Sequence, residues 1–129
     1  MDRIPILKLK SCLLISIQTD LHDLIITALQ EDILTEISRT GARGVLIDIS
    51  ALDIVDSFMA RTLRDCSVMA TLLGAKVVIT GIRPAVAITL VDLGLDLSGI
   101  ITACDIDSGF DLLESTPGVF NSGRILKRY

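Results

Sequence analysis

The stretch Asp53-Ile54-Val55-Asp56-Ser57-Phe58-Met59-Ala60-Arg61 holds the residues with the most chemistry to offer. It follows a short apolar run, Val45-Leu46-Ile47-Asp48-Ile49, and so reads as a strand delivering the chain to a helix start. Asp56 and Ser57 are both good N-cap residues, because a side-chain oxygen there accepts from first-turn N–H groups that have no partner within the helix. A hydroxyl in that place sits in a positive potential, which favours a phosphate added to it. On spacing alone, the plainest role for either residue is capping and nothing more. Behind them Met59, Leu63, Cys66, Ala70 and Leu73 recur at helical spacing and predict a buried stripe.

Other chemistry is thinly represented. His22 is the only histidine. As a general base it would need a nucleophile or carboxylate brought to it by the fold, and no such partner is visible, so it reads as a solvated side chain. Asp48 could resemble the acid of a phosphorylated receiver domain, but that chemistry needs a clustered acidic pair for Mg²⁺ and a placed lysine. The first strand carries no acidic pair, and the reading fails. Cys12, Cys66 and Cys104 are an odd count at wide spacings, unlike a CxxC metal or redox motif. Cys12 in an apolar strand and Cys66 on an apolar helix face read as buried thiols in a reducing cytosol. An enzyme using Cys66 or Ser57 as nucleophile would still lack a Gly-rich nucleotide loop, a His–acid pair and metal-ligand spacing. No catalytic residue, metal or cofactor is expected.

The elements that must hold Ser57 follow from composition and period. At 129 residues the chain is one domain, long enough to bury a core without disulfides or metals. Half of it is apolar but only 3% is aromatic, which suits aliphatic helices packed on a buried parallel sheet and not a base-stacking platform. A net charge of −4 argues further against nucleic acid, which needs a basic face. Arg124, Lys127 and Arg128 are read as part of a solvated terminus. The N-terminus shows no signal-peptide pattern and no apolar run is long enough to span a membrane, so a soluble cytoplasmic protein is expected.

Ile4 to Lys10 alternates as a strand with one wet face, and Leu13 to Ile17 predicts a second strand paired with it as an antiparallel hairpin. From Asp20 to about Arg39 the period is helical, with Leu21, Ile25, Ala28, Leu29, Ile33 and Ile37 as the apolar face and Gly41 as its stop. Val45 to Ile49 predicts a strand covered on both faces. A helix from near Ser57 to about Leu73 ends at Gly74, and Ala75 to Thr80 is the next strand. Pro84 opens a further helix, apolar nearly all round, whose surface should be covered by the sheet, a neighbouring helix or another subunit. Ile100-Ile101 predicts a short last strand, and Asp105 or Asp107 caps a final helix with Phe110, Leu112 and Leu113. The order is β-β-α-β-α-β-α-β-α, an α/β fold with a mostly parallel sheet and right-handed crossovers.

That order, the corner Asp56-Ser57 and the stretch Val77-Val78-Ile79-Thr80-Gly81-Ile82-Arg83-Pro84-Ala85-Val86-Ala87 resemble the STAS family, the sulfate-transporter and anti-sigma-factor-antagonist domains. Within it, Ile4-Pro5-Ile6-Leu7-Lys8-Leu9, Asp56-Ser57-Phe58, Gly74-Ala75-Lys76-Val77-Val78 and Thr89-Leu90-Val91-Asp92-Leu93-Gly94 resemble the scaffold subunits of bacterial stressosomes. The resemblance implies a STAS domain over residues 1–115 and leaves 116–129 as a flexible tail. It implies a non-enzymatic oligomeric protein, in which Ser57 is phosphorylated and Asp56, Ser57, Phe58 and Arg61 contact partners. Those partners would be paralogous STAS-bearing (RsbR-like) subunits, an RsbT-like serine kinase and a phosphoserine phosphatase. Sibling antagonists of anti-sigma factors usually carry Asp-Ser-Ser-Gly at this corner. Here Phe58-Met59 follows Asp56-Ser57, which favours the stressosome subtype over a small soluble antagonist that binds an anti-sigma kinase directly. Whether Thr62 or Thr89 is modified as well is left open.

Overall fold

A computed structural model describes residues 3–18, 22–97 and 99–115. The tail expected over residues 116–129 lies outside them, as do Asp20 and Leu21. The elements run β1 (Leu7–Leu9), β2 (Cys12–Ser16), α1 (Asp23–Thr40), β3 (Gly44–Asp48), α2 (Ser57–Leu72), β4 (Lys76–Thr80), α3 (Pro84–Asp92), β5 (Ile101–Ala103) and α4 (Ile106–Ser115). The expected order is the observed one. The five strands lie in the sheet in chain order, β1-β2-β3-β4-β5. β1 pairs antiparallel with β2, from Leu7 opposite Leu14 to Leu9 opposite Cys12, and the later neighbours all pair in parallel.

Alternation divides the sheet into two faces. Leu13, Ile15, Val45, Ile47, Val77 and Ile79 join the larger core with the buried side chains of α1 and α2. Cys12, Leu46 and Val78 join Leu113 of α4 in a smaller one. β3 is therefore buried at all five positions, as expected of a nearly continuous apolar strand whose one exception is Asp48. At Gly109 the axis of α4 comes close to the sheet. A Cβ there would lie 2.6 Å from Thr80 Cγ2 and 3.0 Å from Leu46 Cδ1. Only a hydrogen fits in that space.

Several expectations shift by one residue or one surface. α1 begins at Asp23 and His22 is its N-cap residue, exposed and without a side-chain capping bond. Its inward stripe is Ile26, Leu29, Ile33 and Ile37, so Ile26 takes the place expected of Ile25. α2 ends at Leu72, and Leu73, expected in the buried stripe, is 48% exposed. The strand expected from Ile4 forms only over Leu7–Leu9, at the sheet edge, with every residue exposed. On α3 only Val86 is buried, and Ile88 and Val91 are 63% and 78% exposed. Within this single chain that helix is uncovered on its outer side.

Candidate functional site

β3 ends at Asp48, and the loop that follows leads the chain to α2 at the carboxyl edge of the parallel sheet, where α/β folds place their sites. Two apolar pins hold the loop, Leu52 at 0% and Val55 at 1% exposure, while Asp53 and Ile54 face outward. Asp56 is the N-cap in extended conformation, and its Oδ1 accepts from the Met59 N–H at 2.8 Å. Its carbonyl accepts from Ala60 at 3.0 Å and closes the first turn. With Asp56 filling the cap, Ser57 becomes the first helical residue and its hydroxyl is spared that duty. The Ser57 Oγ instead accepts from Arg61 Nη2 at 3.3 Å, one helical turn on. Ser57 is half-buried, and Arg61 is exposed.

The next two residues divide between core and surface. Met59 is 4% exposed and belongs to the larger core, whereas Phe58 is 38% exposed. Ile54, three residues before Ser57, is more exposed still, so apolar side chains stand outward on both sides of Ser57 in the chain. Asp56, Ser57, Phe58 and Arg61 are thus gathered at one corner. Thr62 is not among the accessible hydroxyls, being 8% exposed and donating to the Phe58 carbonyl at 2.8 Å. Thr89 donates to the Ala85 carbonyl at 3.0 Å.

A polar brace under the corner escaped the sequence reading. Buried Asp48 accepts from Thr80 Oγ1 at 2.8 Å and from Ser50 Oγ at 2.7 Å. Arg83 reaches across from the β4–α3 loop, donating to the Ser50 carbonyl at 2.6 Å and to Asp53 Oδ1 at 2.5 Å. Gly81 makes that approach feasible, with φ +74° and a hypothetical Cβ only 2.6 Å from Ser50 Cβ. Asp48 therefore acts as a fastener between β3 and β4, its oxygens occupied by two hydroxyls. The available signals were an acid in an apolar strand and an arginine just before Pro84, but the contacts that join the two loops, Asp48 to Thr80 and Arg83 to Ser50 and Asp53, each span 30 or more residues.

Burial pushes the thiols of Cys12 and Cys66 up to about 11, with Glu114 adding to the effect at Cys12. A neutral, buried thiol is a poor nucleophile, so Cys66 is core material. Cys104 is exposed. Among the described residues no group of three or more His, Cys, Asp and Glu side chains is placed to hold a metal ion. No helix among them is long and apolar enough to cross a membrane.

Fold and corner together define a small α/β domain with a half-buried hydroxyl, free of capping duty, at a helix start. The chain belongs to the STAS family, whose domain model matches residues 3–104. Its backbone is similar to a Ser→Glu variant of RsbS from Moorella thermoacetica, with a TM-score of 0.79 and 42% identity over 88% of this chain and 96% of that one. It is similar also to a chain in a structure describing the molecular architecture of the stressosome, a signal integration and transduction hub. There the TM-score is 0.76 and the identity 45%, over 85% of this chain and 96% of that one. Among curated proteins, RsbT co-antagonist protein RsbRA of Bacillus subtilis (strain 168) is 37% identical over 81 residues, or 63% of this chain. The chain covers only 30% of RsbRA's length.

Proposed function

We propose that the chain is a non-enzymatic scaffold subunit and negative regulator in a cytoplasmic stressosome-type complex, holding an RsbT-like serine kinase until Ser57 is phosphorylated. The observation that carries the proposal is the division of labour at the corner: Asp56 caps α2, and the hydroxyl of half-buried Ser57 is left free of that duty beside exposed Phe58. The similarity to RsbS and to a stressosome chain, and that of part of the sequence to an RsbT co-antagonist, support the assembly and the kinase. A phosphoserine carries about −1.5 to −2 charges at neutral pH. On a chain of net charge −4, next to Asp56, it would repel an acidic partner surface and resist burial against an apolar one. RsbR-like subunits would share the assembly, for which the outer side of α3 offers uncovered Ile88 and Val91. A phosphoserine phosphatase would reset it.

The test is retention of the kinase on immobilised complex in the presence of ATP. Ser57→Ala should hold it throughout, wild type should release it with time, and Ser57→Asp should bind weakly from the start. Equal retention by all three removes the mechanism. Light scattering of the chain with an RsbR-like paralogue should show a very large particle. A species no larger than a dimer would point to a small soluble anti-sigma-factor antagonist.

A further inference from the structure

Arg61 differs from several other arginines of the chain. Arg39, Arg64 and Arg83 each hold a carboxylate, on Glu36, Asp65 and Asp53 respectively. Among the described residues Arg61 makes no ion pair, and its guanidinium reaches only the neutral hydroxyl of Ser57, at 3.3 Å. That distance is long for an N–H···O bond. A guanidinium presents a planar fork of donors suited to carboxylate or phosphate, and a lone hydroxyl satisfies little of it. Residues four apart on a helix are neighbours on one face, so reaching the Ser57 Oγ costs Arg61 no unusual geometry. A phosphate on that oxygen would bring three further acceptors towards a donor already aimed there.

We infer that Arg61 is the internal ligand of a phosphate on Ser57, so that modification adds an anion to the corner and at the same time withdraws its unpaired cation from a partner. This rests on the reading of Ser57 as the modified residue and goes beyond it, because it names the side chain that responds. In the unmodified chain Arg61 stands exposed and offers its charge to a carboxylate on the partner. After modification the guanidinium folds over the phosphate, and the partner's carboxylate meets an anion with no cation beside it. The two changes act in the same direction. The neighbouring carboxylates are already engaged: Asp56 caps α2, Asp53 pairs with Arg83 and Asp65 with Arg64. From α1 the group that reaches α2 near this level is uncharged Gln30, bonded to the Thr62 carbonyl.

Phosphoserine installed at position 57 during translation makes the test independent of any kinase. A phosphorus NMR titration then reads the second ionisation of the phosphate, which ordinarily lies near 6 or so. In the otherwise unaltered chain it should fall about 0.15 to 0.4 units below that of Arg61→Gln, the scale of one exposed i,i+4 charge pair. Arg61→Lys, which keeps the charge but loses the fork, should lie between the two. The Arg61 Nε–H resonance should move as the phosphate titrates. Identical titrations of the parent and Arg61→Gln, with an unmoved Arg61 resonance, overturn the inference. Kinase release is read separately, by retention on the immobilised complex. A missing clamp therefore leaves release standing, and a missing release leaves the clamp measured.

Discussion

Gly109→Ala should destabilise the domain, against the ordinary effect of that change in a helix. Alanine is favoured over glycine inside a helix by roughly 0.5–1 kcal/mol, chiefly through the entropy of the unfolded chain. Here the new Cβ would lie 2.6 Å from Thr80 Cγ2, 3.0 Å from Leu46 Cδ1 and 3.4 Å from Val78 Cγ1. Leu46 and its flexible tip can yield. Thr80 cannot, because it is fully buried and its hydroxyl is held by Asp48. Overpacking a tight core costs about 1–3 kcal/mol, so the sign reverses and a net loss of about 1–2 kcal/mol is expected. For a domain of this size that is a fall in Tm of several degrees, and a matching shift in the urea midpoint. Thr80→Ser removes the clashing methyl and keeps the hydroxyl on Asp48. The double variant should therefore lose at least about 1 kcal/mol less than the sum of the single losses. A stabilised Gly109→Ala, or strict additivity in the cycle, would refute this packing of α4 on the sheet.

Four further outcomes follow from the same structure. Asp56→Ala should cost about 1 kcal/mol in chemical unfolding by releasing the Met59 N–H, and Asp56→Ser should recover most of it. With Ellman's reagent at mildly alkaline pH, only Cys104 of the three cysteines should react quickly in the native state, and all three after unfolding. Because burial raises the Cys12 and Cys66 thiols to about 11, the folded state holds protons that the unfolded chain gives up at lower pH. Stability should accordingly fall as pH rises from about 8.5 through 11, which urea midpoints measured across that range would show. Val86→Ile would extend a methylene toward the apolar cavity of about 70 Å³ beneath α3, lined by Ile49, Leu63, Ile82 and Leu90 among others. It should be neutral or stabilising by up to about 0.8 kcal/mol in the same assay, and a loss above about 1 kcal/mol would mean the space is already filled.

How far the sequence could be read depended on the range over which each feature is determined. β3 was plain because Val45 to Ile49 is covered on both faces and cannot alternate. The Ser57 corner was plain because cap, hydroxyl and helical stripe lie within one turn of each other. Ile25 and Ile26 are both apolar and differ by a rotation of 100° or so, which only the docking of α1 on the sheet decides. Leu73 fits the period of α2, but the helix stops one residue earlier and leaves it in solvent. The brace of Asp48, Ser50, Thr80 and Arg83 was invisible because strand pairing alone brings Asp48 opposite Thr80. α3 read as a covered helix because its composition is apolar nearly all round, yet within this chain only Val86 is buried.

The most direct measurement is the intact mass and phosphosite map of the chain after incubation with ATP and cytosolic extract from its source. One phosphate on Ser57, absent from Ser57→Ala, is the predicted result and would provide a handle for isolating the kinase. An extract that phosphorylates a control substrate and leaves Ser57 bare would contradict the account. Asp56 and Ser57 would then be no more than the start of a helix.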